Sequence, residues 1–142
     1  MKFEFSLEPV LKVRKHEEKL HKQKLAEKLN KKKNLDELKE DLQQKLQSYF
    51  DEGDEDGFAN LHDLQRHQQY IKDLQQKVKK VNESLDSIKN AIEEQRDKLA
   101  EVHKSRHIME KVKEEEHEIF LEKVSRQEQK NMDEVATQSY SH

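Results

Sequence analysis

The sequence predicts an all-α protein, specifically a long two-helix antiparallel coiled-coil hairpin. From residue 64 to residue 120 apolar side chains recur in steps of seven, and a second apolar row lies three positions after the first. Two such rows form one stripe on a helix, and a strict seven-residue repeat makes that stripe supercoil around another helix. Charged residues are 42% of the 142 residues and apolar residues only 31%, which is too few to fill a globular core of this size. The two rows are Leu64, Ile71, Val78, Leu85, Ile92, Leu99 and Phe120, and Leu74, Val81, Ile88, Val102 and Met109.

The first helix is predicted from about residue 6 to residue 50. Ser6 is a typical N-cap, Glu8 suits the positive end of the helix dipole, and Pro9 is tolerated in a first turn. No helix breaker then follows until Gly53. The apolar stripe is strongest close to the end of this helix, so we expect the half of the hairpin near the turn to be packed most firmly. That stripe consists of Leu35, Leu38, Leu42, Leu46 and Tyr49.

The turn is predicted at about residues 51–57, which hold five carboxylates and both glycines of the chain. The second helix is expected from about residue 58 to residue 136, followed by a short flexible tail, with residues 1–142 forming a single coiled-coil unit. A turn centred near residue 54 sets Leu7 opposite roughly residue 102 in antiparallel pairing. Beyond Val102 the stripe becomes polar, so we expect pairing within the chain to stop there and the last three dozen residues to lack a partner.

Charge and composition limit the possible functions. Residues 1–50 carry 13 basic and 9 acidic side chains, whereas residues 51–142 carry 15 and 22, so the halves have net charges of +4 and −7. Opposite signs favour side-by-side packing, although exposed pairs contribute only a few tenths of a kcal/mol each. The absence of cysteine excludes disulfides and thiolate metal sites. No apolar run is long enough to cross a bilayer, and the first residues lack a secretion signal, so we expect no membrane insertion.

Two groups of residues could suggest a metal site or a nucleic-acid site, and the surrounding sequence supports neither. His103 and His107 lie one helical turn apart, but no nearby His or Cys completes a metal site, so we predict neither a metal nor a cofactor, and no catalytic residue. A metal hydrolase at this histidine pair remains the enzyme alternative. The basic run Lys31–Lys33 is flanked by acidic residues, which favours a solvated or partner-facing surface over nucleic-acid binding.

Three segments of the chain resemble a known family. The stretch Phe3–Leu11 with Arg14, the stretch Gln68–Ile71 with Leu74, and the stretch Arg126–Ala136, which contains Met-Asp-Glu, are similar to motifs of the flagellar export protein FliJ family. The resemblance covers nearly the whole chain, with a matching length, hairpin layout and acidic turn.

The resemblance implies a hairpin similar to the coiled coil of the rotary ATP synthase gamma subunit. Such a stalk is thought to enter the hexameric ring of the flagellar export ATPase, promoting ring assembly and hydrolysis, and to contact the export-gate membrane protein through its cytoplasmic domain. Family members are also linked to export chaperones. We therefore expect a non-catalytic part of type III protein transport, needed for flagellum biogenesis, motility and chemotaxis. It is expected in the cytoplasm, associated peripherally with the flagellar basal body at the inner membrane.

Candidate partner-binding residues fall into two groups. Gate contacts are expected near the turn, where exposed aromatic and aliphatic groups can anchor a partner, although packing within the hairpin is the stronger explanation for Leu42 and Leu74. The gate candidates are Tyr49, Tyr70 and Leu74. Ring contacts are expected where the second helix overhangs the first, at Met109, Phe120, Arg126, Lys130, Met132, Asp133 and Glu134.

Two alternatives of interaction or structural type stay open at this point. The sequence does not separate a flagellar stalk from the equivalent stalk of a virulence type III secretion system. It also permits a homodimeric structural coiled coil that self-associates through the apolar stripe of the second helix. Sedimentation separates the second alternative from the hairpin, because a hairpin is monomeric at every concentration.

Overall fold

The computed structural model describes the backbone of residues 2–55 and 57–141 and the side chains of residues 2–52 and 57–140. This part of the chain contains two long helices, α1 (Glu8–Glu55, 48 residues) and α2 (Leu61–Ser141, 81 residues). Both are rich in Lys, Glu, Gln and Leu, which favour helix. The helices pack against each other as a hairpin, which confirms the predicted all-α fold.

The helix bounds differ from those predicted. α1 begins at Glu8 and continues into the acidic run as far as Glu55. Gly53 does not end it, since a glycine inside a helix costs only about 1 kcal/mol. α2 begins at Leu61, where the Asn60 Oδ1 accepts a hydrogen bond of 2.8 Å from the backbone N–H of Asp63 and thereby caps the helix. The chain therefore reverses between the end of α1 at Glu55 and the start of α2 at Leu61, and the structure describes residues 57–60 of this connection.

α2 also extends farther than the predicted end near residue 136, because it remains helical to Ser141. Within this last part the Thr137 Oγ1 donates a hydrogen bond of 2.8 Å to the carbonyl oxygen of Asp133, one turn earlier. The prediction that residues 1–142 form a single unit stays a prediction. Contacts within the described chain group residues 21–98 into one compact unit, the turn unit, and residues 2–20 with 99–141 into another, the terminal unit.

The turn unit is held by an apolar core. Six side chains are buried there, and five of them come from the two predicted rows of α2. Each contributes about 1.5–3 kcal/mol by leaving water. Partly buried residues of α1, including Leu25, Leu35, Leu46 and Tyr49, pack against this core. The six buried residues are Leu42, Leu74, Val81, Leu85, Ile88 and Ile92.

The second row of the turn unit is aliphatic at Leu74, Val81 and Ile88 but polar at Gln95. Gln95 is nevertheless only 3% exposed. Its Nε2 donates to the Nδ1 of His21 at 2.7 Å, and its Oε1 accepts from the Lys28 Nζ at 3.2 Å. Both ends of the buried amide therefore have partners in α1, which removes the cost of burying it.

In the terminal unit the two helices stay in contact well beyond Val102, which contradicts the expectation that pairing stops there. The Ser6 Oγ donates a hydrogen bond of 3.1 Å to the Glu116 Oε1. The ring of Phe3 lies 4.7 Å from that of His117 and 5.4 Å from that of Phe120, measured between centroids. The reason is that the chain reverses later than predicted. When the centre of the turn moves by one residue, the residue of α2 that faces a given residue of α1 changes by two.

Candidate partner-binding surfaces

Two of the predicted gate residues meet in an aromatic layer of the turn unit, formed by Tyr49, Phe58, His67 and Tyr70. The rings of Tyr49 and Tyr70 have centroids 4.4 Å apart and are tilted by 33°. His67 lies 5.8 Å from Tyr49 and 4.8 Å from Phe58. Tyr70 is 43% exposed, so the layer presents aromatic surface to solvent.

A side-chain hydrogen bond with Tyr70 raises the pKa of the Tyr49 hydroxyl above its usual range. The Tyr49 phenol is therefore neutral at physiological pH. Tyr49 and Tyr70 each combine an apolar ring with a polar hydroxyl. Rings of this kind are enriched at protein interfaces, where one end is apolar and the other is wet. The aromatic layer thus has the chemistry of a contact surface.

Leu42 and Leu74 do not belong to this surface. Leu74 is 3% exposed and lies with Leu42 in the apolar core of the turn unit, in agreement with the packing explanation. The sequence analysis did not single out Phe58 or His67. His67 lies seven residues before Leu74, in the second row of the repeat. This spacing is the feature of the sequence that could have placed His67 on the side of α2 that faces α1, beside Tyr49.

The second surface is the tail helix, which we define as residues 121–141 of α2. Every residue from Ser125 to Tyr140 is exposed, so this part of α2 packs against no other part of the described terminal unit. It includes the predicted ring contacts Met132, Asp133 and Glu134, and Met132 is 68% exposed. Phe120, half-buried under Phe3, directly precedes the tail helix, and Met109 is half-buried farther back.

Helical geometry sorts the tail residues onto two faces. At about 100° per residue, Leu121, Val124, Met132 and Val135 lie within about 80° of arc and form an apolar stripe, which Glu128 interrupts on the same arc. The predicted charged contacts lie on the opposite face, within about 100° of arc. They are Arg126, Lys130, Asp133 and Glu134. Of the predicted tail residues, only Met132 belongs to the apolar stripe.

The polar positions of the α2 stripe in the terminal unit are matched by polar residues of α1. The Arg106 Nε–H donates to the carboxylate of Glu18, a residue that is only 4% exposed. The Arg106 Nη1 lies 2.8 Å from the Glu110 Oε2. The carboxylate of Glu18, followed by that of Glu110, raises the pKa of the Arg106 guanidinium. Sequence reasoning missed Glu18, because its partner is identifiable only once the helix register is known.

Two further contacts of the same kind occur closer to the start of α1. The Lys113 Nζ lies 3.0 Å from the Glu8 Oε2, and this contact lowers the pKa of the Glu8 carboxyl. Glu116 accepts the hydrogen bond from Ser6. The polar residues beyond Val102 therefore do not end the pairing, since each has a complementary side chain opposite.

The histidine pair considered for a metal lies in the terminal unit. The rings of His103 and His107 are stacked with centroids 6.5 Å apart, and the Nδ1 of His103 lies 2.9 Å from the Glu18 Oε1. Among the described side chains, those of residues 2–52 and 57–140, no group of three or more His, Cys, Asp or Glu is placed to hold a metal ion. No helix of the same residues is long and apolar enough to cross a membrane.

Comparison with known proteins identifies the family. The family model described as Flagellar FliJ protein matches residues 2–142, which include all three segments that carry the resemblance. No curated protein and no solved structure matches the chain. The chain therefore belongs to the flagellar FliJ protein family, a family of structural components of the flagellar export apparatus.

Proposed function

We propose that this protein is a non-catalytic stalk and export chaperone of the flagellar type III export apparatus. It binds the hexameric ring of the export ATPase through the tail helix and the cytoplasmic domain of the export gate through the aromatic layer. Binding promotes assembly and activity of the ATPase, and thereby protein export. The protein works in the cytoplasm, associated peripherally with the flagellar basal body at the inner membrane, and it also contacts export chaperones.

The tail helix is the observation that carries this proposal. An isolated helix in water gains little from its own hydrogen bonds, and most helical stability comes from packing an apolar face against a partner. The stripe of Leu121, Val124, Met132 and Val135 is such a face, half-buried at Val124 and exposed at the other three residues. Amphipathic helices dock their apolar faces into apolar grooves of partner proteins. The export ATPase ring is the partner that family membership favours.

The charged face of the tail helix supports contact with more than one ring subunit. Arg126 and Lys130 are basic and Asp133 and Glu134 acidic, so the same face can pair with either charge sign. A stalk inside a ring contacts subunits on all sides, and each subunit faces a different set of its side chains. Such differences couple the conformations of the subunits through differential binding.

The aromatic layer supports the gate contact. Tyrosine is enriched among the residues that contribute most to binding, because it supplies a large rigid ring and a hydroxyl at a low cost in entropy. Tyr70 is exposed while its ring is held against Tyr49, so its position is fixed before a partner arrives. A preorganised anchor binds with a smaller loss of side-chain freedom.

Hydrolysis by the cognate export ATPase, measured with and without this protein, tests the proposal. We expect stimulation by the intact chain and its loss when residues 126–142 are deleted. Met132→Asp places a charge in the apolar stripe and is expected to abolish most of the stimulation, because a charge entering an apolar groove must lose its water. Gln138→Asp, also exposed but away from the stripe, is the matched control and should retain it.

Equal stimulation by the intact chain and by the Met132→Asp variant contradicts the assignment of the stripe to the ring. Full stimulation by the chain without residues 126–142 contradicts the placement of the ring contact in the tail helix. Circular dichroism of each variant verifies that the hairpin remains helical, so that a lost activity reports a lost contact.

A further inference from the structure

We propose that residues 2–8 form a releasable clasp, which covers residues 113–120 of α2 and opens before the rest of the terminal unit. Opening uncovers this part of α2 for the partner that binds the adjoining tail helix. The opening itself stands on the structure alone, and only its regulatory consequence rests on the proposed function.

The clasp is attached to α2 by a few side-chain contacts, and Phe5, 7% exposed, is its one buried side chain. Residues 2–5 have no helical or strand backbone pairing, and Ser6 and Leu7 form the turn that enters α1. Phe3 packs on His117 and Phe120, Ser6 donates one hydrogen bond to Glu116, and Glu8 pairs with Lys113. Segments with few contacts and exposed hydrogen bonds open at low cost.

Two open clefts border the contact between the clasp and α2. One cleft of about 390 Å³ is lined by Phe3, Leu11 and His117 among others, and a second of about 470 Å³ is lined by Phe3, Phe5 and Lys113. The half-buried ring of Phe3 lines both clefts, so part of its surface faces solvent instead of packed side chains. That part of the ring gains less dispersion energy than a fully enclosed ring would.

The contacts become firmer directly behind the clasp. Leu11 is 1% exposed, the most deeply buried side chain of the described core. Farther along α1, the buried Glu18 carboxylate accepts a hydrogen bond from Arg106, and this pair is costly to separate because the buried carboxylate would lose a compensating charge. Opening of the clasp is therefore expected to stop before Leu11.

The surface under the clasp is continuous with the tail helix. Phe120, which Phe3 covers, also lines a cleft of about 400 Å³ with Val124, Gln127 and Lys130. Release of Phe3 thus joins an aromatic ring to the apolar stripe and the charged face of the tail helix. A partner that binds both surfaces must first displace the clasp or wait for it to open, which makes the clasp an autoinhibitory contact.

Tryptophan fluorescence tests whether the clasp opens separately, because the chain contains no tryptophan. Phe3→Trp reports the clasp, and Tyr49→Trp, in the turn unit, is the matched control. During urea unfolding the emission of Phe3→Trp is expected to change before the loss of helicity, with the open form roughly tenfold more populated than global unfolding allows. The emission of Tyr49→Trp is expected to follow helicity.

Salt and charge reversal identify the contact. Raising salt from about 0.05 M to about 1 M is expected to shift the early transition to lower urea, since the Glu8–Lys113 pair is partly exposed and therefore screened. Glu8→Lys should open the clasp, and Glu8→Lys with Lys113→Glu should close it again. If the emission of Phe3→Trp shows a solvated indole before any urea is added, the substitution has itself opened the clasp. The measurement is then made with Phe120→Trp, which reports the same contact from α2. A clasp transition that coincides with helix loss in both variants overturns the proposal.

A covalent tether tests the regulatory consequence in the full chain. Because the protein has no cysteine, Ser6→Cys with Glu116→Cys provides the only two thiols, and a short bismaleimide joins them. We expect the tethered protein to lose most of its stimulation of the export ATPase. The control tether joins Lys15→Cys and Glu110→Cys, whose side chains meet behind the clasp, and should retain stimulation.

Equal stimulation with both tethers overturns the autoinhibitory role. Absence of stimulation by the untethered wild-type chain instead overturns the proposed function, and the tryptophan measurement then decides on its own whether the clasp opens.

Discussion

Arg106 of α2 donates its Nε–H to the buried carboxylate of Glu18 in α1. Arg106 occupies a position of the seven-residue repeat that is apolar at Leu85, Ile92 and Leu99. Each charge compensates the other only when these two positions face each other. Polar residues inside a coiled-coil seam are known to fix register in this way, so the pair restricts the alignment of the helices in the terminal unit.

Removal of one member of this pair is expected to destabilise the terminal unit. Arg106→Ala removes the guanidinium that compensates the buried Glu18 carboxylate across the seam, while the His103 ring stays beside it. Replacing both residues by leucine in Glu18→Leu with Arg106→Leu should recover most of the loss, because two apolar side chains fill the seam without a desolvated charge. Urea unfolding of the single and double variants measures this coupling.

A double variant no more stable than Arg106→Ala alone would show that the charges do not interact across the seam. Lys104→Ala, at an exposed position of α2 two residues before Arg106, is the control for a lost positive charge. It should leave the urea midpoint nearly unchanged.

The apolar core of the turn unit predicts a second effect. Leu85 is buried in it, so Leu85→Asp is expected to cost about 4 kcal/mol or more and to melt the hairpin, since the new carboxylate has no partner there. Ile92→Asp should act in the same way. Ser84→Asp adds the same charge at an exposed neighbouring position and is the control. Thermal unfolding followed by helicity gives the answer, and an unchanged melting curve for Leu85→Asp would place this residue outside the core.

The ion pair of Glu8 and Lys113 predicts a pH dependence. Lys113 lowers the pKa of Glu8 below its ordinary value of 4.5, so the unfolded chain binds a proton more readily than the folded chain. The contribution of this pair is therefore complete above pH 4.5 and is lost as the pH falls through the lower, folded value. Lys113→Met should reduce the urea midpoint of the Phe3→Trp emission at neutral pH and should have progressively less effect in acid. An effect that is independent of pH would contradict this origin.

Gln95 predicts the oligomeric state. Its amide is satisfied by His21 and Lys28 of α1, partners that self-association through the α2 stripe would not supply. The wild-type chain is therefore expected to sediment as a monomer at all concentrations. Gln95→Leu should be at least as stable but should form dimers as the concentration rises, because the polar residue that favours the hairpin is gone. A stable wild-type dimer would support the homodimeric alternative.

Much of the fold could be predicted from sequence because it depends on local periodicity. Leu85 and Ile92 lie in the core as the repeat indicates, and both helices follow from residue preferences. The register could not be predicted in the same way. Gly53 is a weak breaker that the helix tolerates, and the cap at Asn60 was not recognised, so the reversal was placed too early.

The candidate site could be predicted from the sequence only where it depends on the residues of a single helix. The exposed tail residues follow from a helix that is longer than its partner. The contact of Phe3 with Phe120 and the burial of Glu18 depend on which residues of the two helices face each other, so they could be recognised only once the register was known.

Cross-linking of the intact protein to the cognate export ATPase hexamer, read by mass spectrometry, tests the central claim most directly. Lysine-reactive reagents report on Lys123 and Lys130 beside the tail surface and on Lys77 and Lys80 in the turn unit. We predict ring cross-links from Lys123 and Lys130, with none from Lys77 and Lys80. Ring cross-links confined to Lys77 and Lys80 would contradict the assignment of the tail helix to the ATPase.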